Sequence, residues 1–526
     1  GGPTGKLSRK SIVVEEPRVN SLLAAFSVIS VTIGAGMVAV PNAAYNSGIP
    51  WAIGYNTFNF IATVYSIHLY IRCSEVTGYY SMPQIGYEVM GRFSLYFVNI
   101  MQTIGFGILP VSYFIIFANL LKSFFNEINW VEDHASSTIG AQWFSGLILG
   151  ILIFPLIIKK KIQELKVASI LLFTSVILFM VLMLILRVFN YRDVGDGPIG
   201  ESTFYHFTID KAFISSLSTA FVAYGFQSAF FPIYNSLEKR NYKEGMKFTF
   251  YGIGFCFLIY TAVMFISLYT FGFHIQGDVL ENVEEVTDWE SYTLRALFLL
   301  VMASHVPFIF FVGKESVLAI VTLIYLNGAR GEELNKTVIE SEPRESEEGK
   351  SRESEGLLYE NRKRFSTVKL NRNNQTLRQF NTTDKLTSES VERAFSLAIP
   401  FSKKHKKILM INGDLDRDIS VPDVLPSWLY YSVTLVMYAA IVLAGCTISD
   451  AEIVLKFVGS MANAILNFTF PGYFYFVIMR KFKVGKAWWK LALAFALGTY
   501  GTVMGIVLTG FNIWTTISPA ERNIVV

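Results

Sequence analysis

The sequence predicts an all-α polytopic membrane protein, on three observations. Of its 526 residues, 52% are hydrophobic and 16% charged. The apolar residues lie in long runs, without the alternation of a half-buried strand or the 3.6-residue period of an amphipathic helix, and a run of about 20 residues is what a helix needs to cross a bilayer. Lys and Arg gather on one side of the loops that these runs define, as they do on the cytoplasmic side of membrane proteins.

Eleven runs are long enough to span. The first, 21–46, is apolar but carries Gly34, Gly36 and Pro41 inside it, and the second, 51–72, ends on His68 and Arg72. The third, 94–121, is interrupted at Gly107 and Pro110; the fourth, 142–158, is the shortest, and a lysine-rich loop separates it from the fifth, 166–188. The sixth, 212–236, contains Gly225, Gln227, Ser228 and Pro232 near its middle. The seventh, 246–271, and the eighth, 292–313, flank an acidic segment holding Asp278, Glu281, Glu284, Glu285, Asp288 and Glu290. The ninth, tenth and eleventh runs cover 425–446, 452–479 and 485–512. Lys314 and Glu315, ending the eighth run, read as a snorkelling headgroup anchor.

The basic residues set the orientation. Lys6, Arg9, Lys10, Arg18, Arg72, Arg92, Lys159 to Lys161, Lys239, Arg240, Lys243, Arg480, Lys481 and Lys483 all fall on one side, which is expected to be the cytosol. Residues 1–20 are then a cytosolic segment, 21–327 helices one to eight with a cytosolic extension, 425–516 helices nine to eleven, and 517–526 a non-cytosolic tail. Residues 328–424 are polar and rich in Glu, Ser, Arg, Asn and Lys. Such a stretch buries too little apolar surface to offset its ordering entropy, so a mostly disordered cytosolic insert is expected, with a short helix near 384–399.

Composition excludes several functions. The formal net charge of +4 follows from the sidedness of the loops and implies no nucleic acid. Cys73, Cys256 and Cys446 are too few for a disulfide framework. No catalytic triad, metal cluster or nucleotide motif stands out, so neither an enzyme nor a cofactor is expected. The chain opens on Gly1-Gly2-Pro3 and no cleavable signal peptide is expected. Glu353-Ser354-Glu355-Gly356-Leu357-Leu358 has the spacing of an acidic dileucine sorting signal, which makes the insert a candidate docking region for cytosolic sorting or signalling proteins. With the acidic loop, it points to an endolysosomal or vacuolar membrane, the plasma membrane being the alternative.

The first run says most about function. A freed backbone amide or carbonyl in hydrocarbon costs several kcal/mol, so non-helical backbone at membrane depth survives only against protein or a water-filled cavity. If the first ten runs form two five-helix repeats of inverted topology, the sixth corresponds to the first and should be broken too. Its Gly225, Gln227, Ser228 and Pro232 fit that expectation. Half-helix N-termini suit a carboxylate, while half-helix C-termini and unwound carbonyls suit an ammonium or a cation. The backbone around Gly34, Ala35 and Gly36 could therefore clamp an amino acid zwitterion. Thr32, Met37, Tyr224, Phe226 and Gln227 complete the candidate substrate residues.

Ile33-Gly34-Ala35-Gly36 with the following apolar run and Pro41 resembles the first helix of the amino acid/auxin permease family, within the amino acid, polyamine and organocation (APC) transporter superfamily. Tyr224-Gly225-Phe226-Gln227 with Phe231-Pro232-Ile233-Tyr234 is similar to the family's sixth helix, and Leu268-Tyr269-Thr270-Phe271-Gly272 to the end of its seventh. His305-Val306-Pro307 through Lys314 resembles the eighth, and Phe457-Val458-Gly459-Ser460 with Pro471 the tenth. The resemblance implies a LeuT-like 5+5 inverted repeat plus an eleventh helix, and secondary amino acid transport by alternating access. Pro232-Ile233-Tyr234 and Val306-Pro307 with Phe311 resemble the sodium-coupled neutral amino acid transporters in particular. Those proteins usually carry Asn where this chain has Ser30 and Thr where it has His305, positions associated with sodium. Hard cations prefer oxygen ligands and imidazole is a proton carrier near neutral pH. Ser30 and His305 are thus the candidate ion-coupling residues, with a proton favoured over sodium. An amino-acid-sensing receptor signalling through the insert and a structural subunit of a membrane assembly are the alternative functions.

Overall fold

The computed structural model describes residues 19–126, 142–159, 166–189, 211–272, 289–340, 425–448, 450–484 and 487–517, with Ile275, Val279 and Asn282. Two compact units divide the chain: residues 1–322 with 418–526 form a helical body, and 323–417 form the other. Within the second unit the described part is the end of a single helix. The acidic residues from Asp278 to Asp288, the dileucine-like stretch at 353–358 and the helix expected near 384–399 lie outside the described residues.

Among the described residues the body is helical, with one isolated parallel bridge between Val19 and Leu237. A helix or helix pair covers each of the eleven apolar runs. Helices α1 (Ser21–Thr32) and α2 (Ala35–Ser47) share the first run, and α3 (Ile49–Thr77) covers the second. After α4 (Met82–Met90), the third run is built from α5 (Arg92–Gln102), a π-helical turn Thr103–Gly107 and α6 (Pro110–Asn126). Helices α7 (Gln142–Ile157) and α8 (Lys166–Phe189) are the fourth and fifth. The sixth run is divided between α9 (Lys211–Ala223) and α10 (Gln227–Asn235). Then come α11 (Tyr242–Phe271), α12 (Trp289–Glu340) and α13 (Ser427–Thr447). The tenth run is α14 (Ala451–Phe457), two π-helical turns, Val458–Asn463 and Ile465–Thr469, and α15 (Phe470–Lys481). Helix α16 (Trp488–Ile517) is the last.

Side-chain caps fix several starts. Asn20 accepts from the Leu23 amide at 2.9 Å, Asn241 from Glu244 at 2.9 Å, and Asp450 from Glu452 at 2.9 Å, which satisfies donors that have no partner within the helix. Gly78 ends α3 in the left-handed region at φ 75°, where a side chain would strain the backbone.

Six described stretches are long and apolar enough to cross a membrane: Arg92–Leu121, Tyr242–Phe271, Ser291–Tyr325, Ser427–Thr447, Ala451–Lys481 and Trp488–Ile517. Helix α3 has the length but not the hydropathy, because Asn56, Asn59, Thr63 and Ser66 form a polar stripe along it. All four are buried, so the stripe faces the protein interior. Outward positions are apolar, as on Leu435 and Val436 of α13 and Ile506 of α16, which suits a lipid-facing surface.

Three local readings of the sequence change. Pro41 and Pro232 do not make the helix breaks; each lies within the second half-helix, α2 or α10. The eighth helix runs well past residue 313, to Glu340. Lys314 is not a snorkelling anchor: it is 1% exposed, and its ammonium donates to the carbonyls of Ile157 at 3.2 Å and Lys159 at 2.8 Å, at the end of α7. The orphan carbonyls of that helix end, with their partial negative charge, explain why a cation is stable there.

Candidate functional site

The two helix breaks meet. In the first run α1 stops at Thr32, Ile33 is extended, and Gly34 precedes α2. In the sixth, Tyr224, Gly225 and Phe226 are non-helical between α9 and α10. Gly36 packs directly on Ala223: a β-carbon on Gly36 would stand 2.9 Å from the Cα of Ala223, so only glycine permits this approach. The Tyr260 hydroxyl of α11 lies 2.8 Å from the Thr32 carbonyl and 2.9 Å from the Ala223 carbonyl, the last residues of α1 and α9. Neither α2 nor α10 has a cap from the side chain of its N-cap residue, Gly34 or Phe226.

The expected substrate residues divide into two groups. Thr32, Gly34, Gly36 and the start of α2 at Ala35 lie at the first break, and Met37 is fully buried in the first turn of α2. Tyr224, Phe226 and Gln227 lie at the second, but two of their side chains are engaged elsewhere. The Tyr224 hydroxyl donates to Asn56 Oδ1 at 2.6 Å, and the Asn56 amide donates to Thr261 Oγ1 at 3.0 Å. Gln227 Oε1 accepts from the Phe226 amide at 2.9 Å, while its Nε2 donates to Ser66 at 3.2 Å. The polar stripe of α3 therefore holds the second break in place. Phe226 packs edge-on against Phe230, with centroids 6.4 Å apart.

The two expected ion-coupling residues also converge. His305 is fully buried on α12, within reach of the Ser30 carbonyl, and its ring meets Tyr113 edge-on at 4.9 Å. A β-carbon on Gly34 would lie 2.6 Å from His305 Nε2 and would also collide with the Tyr113 hydroxyl. Among the described residues the Ser30 carbonyl is the hydrogen-bonding group that faces the imidazole, without standard hydrogen-bond geometry to either nitrogen. The Ser30 hydroxyl is occupied, donating to the Phe26 carbonyl at 2.9 Å.

Residues of the tenth run, to which the sequence assigned no role in the site, complete it. Asn463, in the first π turn of the tenth run, sits between Gly225 and Gly105; β-carbons on those glycines would lie 2.8 Å and 3.1 Å from its carboxamide. Gly459 in the same turn approaches the Ser218 carbonyl of α9 closely. Asn467 Nδ2 donates to the Phe221 carbonyl at 3.1 Å. The tenth run thereby wraps the first half of the sixth, and π turns often mark functional sites. Among the described residues Ser228 Oγ and Asn463 Oδ1 are buried without hydrogen-bond partners, which leaves them able to accept or donate to a polar group. Among the described residues no three His, Cys, Asp or Glu side chains are grouped as metal ligands would be.

A buried polar locus between two interrupted helices of a polytopic bundle is the architecture of broken-helix membrane transporters. The chain belongs to the transmembrane amino acid transporter protein family, whose model matches residues 18–518. It is similar to a putative sodium-coupled neutral amino acid transporter 11 of Danio rerio, at 23% identity over 266 residues. That alignment takes in 49% of this chain and 56% of the relative, so the chain matches little more than half the relative's length. Among solved structures, MhsT in complex with L-phenylalanine is similar at a TM-score of 0.44 and 13% identity, over 94% of this chain and 99% of that one. A substrate-bound, outward-open sodium-coupled sialic acid symporter is similar at a TM-score of 0.42 and 11% identity, over 95% and 90%. Family membership rests on the family model.

Proposed function

We propose that the protein is a secondary active amino acid transporter that works by alternating access and is driven by a cation gradient, protons ahead of sodium. Two five-helix repeats of inverted topology, with α16 as an eleventh helix, are the architecture this reading requires. The observation that carries it is the meeting of both helix breaks at one buried point, where Thr32 and Ala223 carbonyls share the Tyr260 hydroxyl.

An amino acid needs both charges neutralised when it leaves water. The half-helix N-termini that follow Gly34 and Phe226 suit its carboxylate, and helix-end carbonyls suit its ammonium. The side-chain oxygens of Ser228 and Asn463 supply further polar contacts. Thr32, Met37, Tyr224, Phe226, Gln227 and His305 are all buried, which suits a substrate held away from both faces of the membrane.

For the ion, His305 supports a proton. It is an ionisable group inside a span, which is a functional candidate by default, and imidazole is the side chain suited to carry a proton near neutral pH. Sodium finds a nitrogen at this position, where an oxygen ligand would suit it better. The relative from Danio rerio is named as sodium-coupled, so sodium is the specific rival.

Uptake of a panel of labelled amino acids into proteoliposomes, under proton and sodium gradients imposed separately, tests the reading. Uptake driven by pH alone and lost in His305→Ala supports proton coupling through this residue. Sodium-driven uptake overturns the ion assignment. Amino acid binding without uptake under either gradient moves the function to a sensor, and neither binding nor uptake moves it to a structural subunit.

A further inference from the structure

Tyr260 stands where both broken helices end. Its hydroxyl is 2.8 Å from the Thr32 carbonyl and 2.9 Å from the Ala223 carbonyl, so neither is favoured by distance. A phenol carries one proton, and it can serve only one of the two fully at a time. Each carbonyl closes a half-helix, and the C-terminal end of a helix carries the equivalent of about −0.5 charge. Two such ends converging inside a membrane protein are an arrangement that a cation satisfies in broken-helix transporters. Here a neutral hydroxyl occupies the point of convergence.

The hydroxyl is held there by a closed circuit of contacts. The Tyr260 ring is fully buried and meets the Tyr224 ring edge-on at 5.4 Å. Tyr224 donates to Asn56 of α3, and Asn56 donates back to Thr261, the residue after Tyr260. Tyr224 of the second break and Asn56 of α3 thus link the phenol back to its own helix, α11.

We propose that Tyr260 is a positioning residue of the transport cycle: its hydroxyl ties the ends of α1 and α9 together in place of a bound monovalent cation. The inference rests on the transporter reading, and it places a residue of the uninterrupted α11 at the meeting point of the two interrupted helices. Tying the two ends keeps both breaks in register while the site is closed. Removing the proton leaves two facing carbonyls that repel each other, a defect that a small cation can repair.

Hydrogen exchange of the backbone amides at 33–36 and 225–228, compared in purified wild type and Tyr260→Phe, tests this. Loss of one hydrogen bond should raise exchange at both breaks by ~10-fold in Tyr260→Phe. Added Na⁺ or K⁺ should reverse the rise in the variant and leave the wild type unchanged, relative to choline. Uptake by Tyr260→Phe should fall through its maximal rate more than through its KM, and the same cations should restore it. Unchanged exchange at both breaks overturns the proposal, as does cation protection of the wild type equal to that of the variant. If Tyr260→Phe does not fold, the wild type decides: equal protection in Na⁺, K⁺ and choline supports the proposal, and protection requiring Na⁺ or K⁺ overturns it. Exchange needs no flux, so a wild type without uptake counts against the transporter reading while the exchange data still judge the tether.

Discussion

Gly34 lies directly against the His305 imidazole: a β-carbon on Gly34 would stand 2.6 Å from Nε2 and would collide with the Tyr113 hydroxyl as well. The backbone at Gly34 is extended, with φ −164°, so a side chain is excluded by neighbours and not by backbone conformation. Gly34→Ala must push His305 or Tyr113 aside, and both sit in a packed interior where an added methyl costs ~1–3 kcal/mol. The expected outcome is a protein that still folds with a lowered melting temperature and loses amino acid binding, measured by ligand-induced thermal shift. Wild-type binding by Gly34→Ala would show that the first break does not contact substrate.

His305→Gln separates titration from packing. Glutamine keeps hydrogen-bonding capacity and comparable bulk but cannot carry a proton at physiological pH. Under the proton-coupled reading this variant loses accumulation driven by a pH gradient yet retains exchange of labelled for unlabelled substrate across the membrane. Accumulation that persists in His305→Gln, with pH dependence unchanged, places the coupling group elsewhere.

Both breaks were legible in the sequence because glycine and polar residues inside an apolar run free backbone groups that hydrocarbon cannot satisfy, so they persist at membrane depth only where protein or a cavity does. The prolines were misleading, since Pro41 and Pro232 lie one to two turns beyond the breaks and inside helices. Tyr260 left no mark: it is one tyrosine of 26, on an uninterrupted helix, and its role comes from where two distant chain ends arrive. The π turns that bring Asn463 to Gly225 were equally silent, because one inserted residue per turn changes register without changing composition. The stripe of α3 could have been read, since Asn56, Asn59, Thr63 and Ser66 recur at the spacing of one helix face.

Lys314 gives a stability prediction away from the site. Its ammonium satisfies the Ile157 and Lys159 carbonyls at the end of α7. Lys314→Met keeps most of the volume and leaves those carbonyls without this donor, at ~1–3 kcal/mol for the buried Ile157 carbonyl. A reduced melting temperature in detergent, with KM unchanged in the surviving protein, is expected. A melting temperature equal to wild type would mean that water reaches this helix end.

Two glycines in helices should respond in opposite directions. Gly313 of α12 meets the π turn of the third run backbone to backbone: a β-carbon would lie 2.5 Å from the Gly107 Cα and 2.6 Å from its nitrogen. Backbone cannot rotate away as a side chain can, so Gly313→Ala must separate α12 from that turn, and α12 is also the helix that carries His305. Gly54 of α3 has nothing within 4 Å of the corresponding position. Gly54→Ala gains helix propensity of ~1 kcal/mol with no collision. Thermal unfolding should therefore shift upward for Gly54→Ala with uptake unchanged. For Gly313→Ala it should shift downward, and uptake should fall by more than the loss of folded protein, because displacing α12 moves His305 off Gly34. Equal shifts in the two variants would show that α12 and the π turn are not in contact at Gly107.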